Sequence, residues 1–331
     1  MSKLIISLLP HAHGGDSVER NMYNVLIALV PALLVSFYYF GLGSVVVCSV
    51  SVAACVFFEW AITRYMLRRP TTLLDGSACI TGLLLGMNLP SNFPIWMIIV
   101  GALVAIGIGK MTFGGLGCNP FNPAIVGRCF LLVSFPAAMT SWPVAGQQMA
   151  YTDAVTGATP LSLMKTAIKT GDVSVLQGLP DTVDMLLGNV ANGYGAGTIG
   201  EVCALALIAG LIWMLWRRVI TWHIPVTILA TVFVLSGALH VANPVYANPM
   251  AVVLSGGLML GAIFMATDYV TSPMTHRGQV IYAVGIGVLT VVIRNWGSYP
   301  EGMSFAILIM NAFTPLINFY VKPKRFGEVS R

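Results

Sequence analysis

Apolar runs of nearly bilayer-spanning length, separated by short polar, proline- or glycine-bearing intervals, recur along this chain from Asn21 to Tyr320. A helix crossing about 30 Å of hydrocarbon needs about 20 such residues, and helices satisfy their own backbone where no water is present. The pattern predicts about ten helices, approximately Asn21–Phe40, Ser44–Thr63, Asp75–Leu89, Pro94–Thr112, Pro123–Phe135, Ile199–Trp216, Val219–Leu239, Pro249–Asp268, Gln279–Ile293 and Met303–Tyr320. The segments from Asp75 and Pro123 are short for an untilted crossing and read as broken or half-length helices buried among the others.

Composition supports the pattern. Of 331 residues 57% are hydrophobic and 9% charged, with a mean hydropathy of +0.83, against roughly 25% charged in soluble domains. A soluble core is excluded, and the fold class is an all-α polytopic membrane protein. Met1 to Arg20 carries Pro10, His11, His13, Asp16 and Glu19 where a cleavable leader would be apolar. The first span is therefore expected to act as the insertion signal.

The distribution of charge sets an orientation. Lys3, Arg20, Arg64, Arg68, Arg69, Lys110, Arg217, Arg218, Arg277, Lys322, Lys324, Arg325 and Arg331 fall in connections on one side, with Arg128 nearest that group, and Lys165, Lys169 and Arg294 on the other. The positive-inside rule makes the first side cytoplasmic and puts both termini there. The chain then divides into a cytoplasmic lead (1–20), a first half of about five helices (21–139), an extracytoplasmic loop (140–198), a second half of about five helices (199–320) and a cytoplasmic tail (321–331). An odd number of helices per half inverts one half against the other. Asn122-Pro123 and Asn248-Pro249 each place a capping Asn before a proline at the first helical position.

The loop carries the most legible chemistry, Asp153-Ala154-Val155-Thr156-Gly157-Ala158-Thr159-Pro160. A threonine flanked by Gly157, Ala158 and Pro160 is expected on a small-residue, exposed turn open to a modifying enzyme. These residues resemble the acceptor motif of flavin transferases, Asp-x-x-(Ser/Thr)-Gly-Ala-(Ser/Thr), in which the last hydroxyl forms a phosphoester with FMN. The motif residues Asp153, Thr156, Gly157 and Ala158 thus point to Thr159 as the attachment site.

A second stretch, Phe113-Gly-Gly-Leu-Gly-Cys-Asn-Pro-Phe-Asn-Pro-Ala-Ile-Val-Gly-Arg128, combines glycines that let backbone approach a planar ligand with Asn119 and Asn122. The asparagines either meet a flavin edge or cap helix ends. Glu59, Asp75 and Asp268 fall toward the cytoplasmic ends of their helices and are candidates for an Na⁺ or proton path. Alternatively, Glu59 pairs with Arg64 and Asp75 caps the third helix. Arg294 and Glu301 are expected to pair at the outer surface or meet a partner. His223, His240 and His276 are isolated, and the six cysteines, Cys48, Cys55, Cys79, Cys118, Cys129 and Cys203, show no C-x-x-C pair and read as small buried residues. No metal site, no catalytic side chain and no nucleic-acid partner is expected; the chemistry would belong to a bound cofactor.

Taken together, the spans, the loop motif and the Asn-Pro-x-Asn-Pro segment resemble the D subunits of Rnf complexes, ion-translocating ferredoxin:NAD⁺ oxidoreductases, and the related B subunits of Na⁺-pumping NADH:quinone oxidoreductases. Pro10-His11, Gly15-Asp16-Ser17, Ala266-Thr267-Asp268, Thr271-Ser272-Pro273 and Tyr299-Pro300-Glu301-Gly302 extend the resemblance over the chain, and the short lead favours the Rnf family. The resemblance implies covalent FMN on Thr159 and a non-covalent riboflavin near Asn119 and Asn122. It also implies a six-subunit assembly in a bacterial cytoplasmic membrane, with an extracytoplasmic FMN-carrying subunit, iron–sulfur membrane subunits, and a flavin transferase in maturation. Electrons would pass between ferredoxin and NAD⁺, coupled to Na⁺ or H⁺ translocation. The rival readings are a quinone-reducing flavin subunit and a small-solute channel with no redox role.

Overall fold

The computed structural model describes residues 17–69, 73–188, 197–299 and 301–323. The opening Pro10-His11 and Gly15-Asp16, Pro300, and the tail residues Lys324, Arg325 and Arg331 lie outside them. The first half contains α1 (Val18–Phe40), α2 (Leu42–Ala61), α3 (Ser77–Met87), α4 (Ile95–Leu103), α5 (Pro123–Ser134) and the single turn α6 (Pro136–Met139). The central loop holds α7 (Pro160–Thr170) and α8 (Thr182–Leu187). The second half contains α9 (Ala204–Trp216), α10 (His223–Ala242), α11 (Pro249–Leu254), α12 (Leu258–Leu260), α13 (His276–Trp296) and α14 (Met303–Tyr320). Among the described residues six segments, Val18–Phe40, Leu42–Met66, Ile95–Phe113, His223–Ala242, His276–Trp296 and Met303–Tyr320, are long and apolar enough to cross a bilayer. The chain is a multi-pass membrane protein, and α3, α5 and α9 are shorter apolar helices among the spans.

Helix ends follow local chemistry. Asn122 Oδ1 accepts from the N–H groups of Ala124 and Ile125, and Asn248 Oδ1 from Met250 N–H, each ahead of a proline at the first helical position. Three helices pass into π turns: α2 into Ile62–Met66, α4 into Val104–Ile108 and α12 into Gly261–Met265. Helix α2 packs along α3 and α4, α10 along α13, and α1 along α9. The α2–α3 contact is close: a Cβ at Gly82 would meet Val52 Cα at 2.6 Å, and Ser51 Oγ donates to Gly82 O at 2.7 Å. Small residues of this kind let helices approach where lipid supplies no hydrophobic drive.

The span expected at Pro249–Asp268 is discontinuous. Helix α11 stops at Leu254, Ser255-Gly256-Gly257 is unwound, and the chain resumes helically at Leu258. Gly256 takes φ +68°, a left-handed conformation that costs other residues strain. The central loop is also more structured than its polar composition suggests. Leu161 and Met164 of α7 pack with Met185, Ala247 and Ala251 in a small second core.

Candidate functional site

The acceptor motif lies along the edge of the central loop. Gly157 N–H donates to Trp142 O at 2.9 Å and Val144 N–H to Val155 O at 2.9 Å, while Gln147 Oε1 accepts from Val155 N–H at 2.7 Å. Asp153, Thr156 and Ala158 are exposed. Thr159 is not on an exposed turn: it is 6% exposed and is the N-cap of α7, its Oγ1 accepting from Ser162 N–H at 3.2 Å. The cause is local. An extended residue before Pro160 starts the helix, and the apolar face of α7 draws the helix and its cap inward. Lys165 fixes the same face, donating to Gly297 O at 2.7 Å; burial, and then neighbouring Lys169, lowers its pKa from the ordinary lysine value.

Thr159 lines a cleft of about 530 Å³ with Trp142, Met185, Glu201, Ser255, Gly256 and Glu301. Behind it lie charges expected elsewhere on the molecule. Arg294 is buried; its Nη1 donates to Val252 O at 2.8 Å and its Nη2 to Ser255 O at 2.9 Å. It therefore satisfies carbonyls orphaned where α11 ends. Glu301 forms an ion pair with Arg128, so Arg294 and Glu301 do not form the expected surface pair. Arg128 is buried, and its Nη1 reaches Asn88 Oδ1 at 2.7 Å and Ser304 Oγ at 2.8 Å. The signal for this cluster is the adjacent pair Gly256-Gly257, whose lack of side chains makes room for both guanidiniums. A Cβ at Gly256 would meet Arg294 Nη2 at 2.7 Å, and one at Gly257 would meet Arg128 Nη1 at 3.2 Å.

A larger cavity, with about 780 Å³ of empty space, opens at the other end, beside the starts of α1 and α3. Its walls include Ser77, Lys110, Asn119, Asn122, Thr267 and Asp268. The structure thus brings Asn119, Asn122 and Asp268 together. Asn122 is not free for a ligand, because its oxygen caps α5 and its Nδ2 donates to Met265 O at 3.2 Å. Asn119 Nδ2 donates to Phe121 O at 3.0 Å and its side chain is within hydrogen-bonding reach of the Asp268 carboxylate, which also accepts from Thr271 Oγ1 at 3.3 Å.

Glu59 pairs with Lys110 rather than with Arg64. The two are 1% and 3% exposed at their side chains, with Nζ 2.6 Å from Oε2. Lys110, a loop cation on its sequence position, is buried. Its Nζ also donates to Ser77 Oγ at 2.6 Å, which in turn donates to Asp75 Oδ1 at 2.6 Å. Asp75 accepts Ser77 N–H as well, as expected of a carboxylate at the start of α3.

Two further expectations are corrected. His223 and His276 are not isolated: their rings stack with centroids 4.3 Å apart, and Trp222 also stacks on His223 at 4.3 Å. Cys118 is exposed, whereas Cys48, Cys55, Cys129 and Cys203 are buried.

With this geometry in view, the sequence matches the NQR2, RnfD, RnfE family over residues 5–327. It is 44% identical over 324 residues to the D subunit of the Na(+)-translocating ferredoxin:NAD(+) oxidoreductase complex of Acetobacterium woodii, covering 98% of this chain and 95% of that protein. It is 40% identical over 329 residues to the D subunit of the proton-translocating ferredoxin:NAD(+) oxidoreductase complex of Clostridium ljungdahlii, covering 97% and 96%. Identity to the D subunit of the ion-translocating oxidoreductase complex of Stutzerimonas stutzeri is 38% over 340 residues, covering 96% and 94%.

Proposed function

The chain belongs to the NQR2, RnfD, RnfE family, and from that premise we propose that it is the membrane flavoprotein subunit of an Rnf-type, ion-translocating ferredoxin:NAD⁺ oxidoreductase. It carries FMN on Thr159 and a second flavin, riboflavin, in the large cavity, and it passes electrons between them while a cation moves. Its relatives at 44% and 40% identity are named for different cations, sodium and the proton, so family membership does not select the ion.

The observation that carries the FMN assignment is the place of Thr159 in the fold. Its hydroxyl closes an intact acceptor motif whose Asp153 and Thr156 face solvent, and it caps the N-terminus of the 11-residue α7. A phosphoester there would lie at a helix N-terminus, where unpaired N–H groups and the helix dipole favour negative charge. When bound, FMN supplies one- and two-electron chemistry. The chain supplies an acceptor oxygen, a helix end for the phosphate and the walls of the adjoining cleft.

The cavity suits a non-covalent flavin. Lys110, Asn119, Thr267 and Asp268 offer donors and acceptors on walls otherwise formed by residues such as Leu84 and Phe264. Among the two asparagines, Asn119 is the contact and Asn122 the scaffold. The distribution of basic residues argues for the cavity at the cytoplasmic face of a bacterial cytoplasmic membrane and for Thr159 on the outer side. Partners in the assembly would deliver electrons at one end and collect them at the other.

The test is coexpression with a flavin transferase, denaturing electrophoresis and inspection for flavin fluorescence. The wild-type band is expected to fluoresce and Thr159→Ala to be dark. A dark wild type, with the transferase active on a control substrate, would remove the assignment; a fluorescent Thr159→Ala would move it to another residue.

A further inference from the structure

A third cavity, with about 460 Å³ of empty space, lies between the loop helix α7 and the ends of α10 and α13, and it shares no residue with the large cavity. Much of its wall is apolar, with Met164 and Ile168 from α7, Leu239 from α10 and Val291 from α13. Among the described residues its charged members are two cations, Lys165 and Arg294, and neither forms an ion pair with a carboxylate. Glu201, the carboxylate whose field reaches Arg294, lines the Thr159 cleft instead.

Both cations have hydrogen-bonding capacity left over. The Nη1 and Nη2 bonds of Arg294 go to carbonyls at the break after α11, and its Nε is a buried donor with no partner among the described residues. Lys165 is 9% exposed and donates to Gly297 O, one acceptor for an ammonium with three protons. Buried cations without a counter-charge are strongly disfavoured. The arrangement is complementary to an anion that also carries an apolar part.

Position selects the kind of anion. Leu239 lies in the last turn of α10, and Arg294 and Asn295 lie in the last turn of α13, both helices long and apolar enough to cross a bilayer. Val284, Val288, Val292 and Trp296 recur at every fourth residue of α13 and are exposed, one apolar stripe that ends in a residue type enriched at the membrane boundary. The cavity therefore sits at headgroup depth, beside a lipid-facing stripe. Basic pockets between membrane helices bind acidic headgroups. A soluble anion would meet the charge there and leave the apolar wall uncovered.

We propose that this cavity binds one acidic phospholipid from the leaflet on the loop side, its phosphodiester accepting hydrogen bonds from Lys165 and Arg294 and an acyl chain lying along the stripe that ends at Trp296. The consequence is mechanical. Lys165 belongs to the helix that Thr159 caps and Arg294 to a membrane span, so the headgroup ties the loop helix to the bundle. No covalent bond is made or broken.

The test uses the full chain purified in a delipidating detergent, with phosphatidylglycerol or phosphatidylcholine of identical acyl chains added back and retention counted by native mass spectrometry. The wild type is expected to hold one phosphatidylglycerol at least about fivefold more tightly than phosphatidylcholine, since one nearby basic residue favours acidic lipid by about that factor. Lys165→Gln is expected to weaken phosphatidylglycerol about fivefold and to leave phosphatidylcholine unchanged, a selectivity that a merely structural role for the lysine would not produce. Asn295→Asp keeps the side-chain volume of a half-buried wall residue and gives the cations a built-in counter-charge. It is expected to remove the preference, and it keeps the proposal falsifiable if Lys165→Gln fails to fold. Phosphatidylglycerol is also expected to raise the unfolding temperature of the wild type, whereas glycerol phosphate and inorganic phosphate are not. Equal retention of the two lipids by the wild type, or the wild-type preference in a folded variant, would overturn the proposal. Equal stabilisation by the free phosphates would make this a site for a soluble anion and remove the lipid.

Discussion

The two buried ion pairs among the described residues solve one problem in different ways. Arg128, paired with Glu301, also holds Asn88 at the end of α3 and Ser304 at the start of α14. Its guanidinium is a rigid fork, and it joins α3, α5 and α14 beside an unwound helix. Lys110 holds Glu59 and a single hydroxyl, at the edge of a cavity. Both cations join three elements, since Lys110 follows α4 and its π turn and reaches Glu59 of α2 and Ser77 of α3. Burial and the number of elements joined are alike, so what separates the sites is the cation itself, a rigid fork in one and a flexible point charge on a cavity wall in the other.

The sharpest way to break this comparison is to remove each cation and measure thermal unfolding of the purified protein in detergent. Arg128→Met strands Glu301 and is expected to cost about 3–5 kcal/mol. Adding Glu301→Gln is expected to recover only part of that loss, since Asn88 and Ser304 still lack the guanidinium that joins them. The corresponding double change, Lys110→Met with Glu59→Gln, is expected to lie within about 1 kcal/mol of the wild type, as neutral replacements of buried pairs often do. Equal losses at the two sites would erase the distinction.

Gly256→Ala probes the arginine side through the backbone. With φ +68° and a new Cβ 2.7 Å from Arg294 Nη2, it is expected to cost about 1–3 kcal/mol and to leave non-covalent flavin content unchanged. Asn122→Ala probes the cavity side and has the smallest expected effect. Loss of the α5 cap is worth about 1 kcal/mol, and a larger fall in flavin content than in stability would make Asn122 a flavin contact after all.

Much of the fold is legible in the sequence because apolar length and helix caps are local properties. The helices Met303–Tyr320 and Pro123–Ser134, the short α3, and the caps Asn122 and Asn248 all follow from neighbouring residues. The break in Pro249–Asp268 is hidden because its residues are apolar on both sides, and Gly256-Gly257 passes for helix–helix packing until two arginines are seen against it. Arg128 and Glu301, Lys110 and Glu59, and the stacked His223 and His276 are distant in sequence, and a single chain carries no signal of which partner a buried charge or ring will meet. The motif ending in Thr159 is legible as chemistry, while its burial is not, since that depends on where the apolar face of α7 docks.

The π turns make chain length within a helix a constrained quantity. Each holds one residue more than the α turn it replaces, so a one-residue deletion there restores an α turn and leaves the helix beyond it in phase, whereas a deletion in a regular α turn rotates everything beyond by about 100°. Either deletion would keep the segment apolar and helical, so hydropathy would register no change. Only a deletion in the regular turns of Ile95–Leu103 would turn Lys110 off the wall it lines, which makes the count of residues there as much a part of the site as the identity of the lysine.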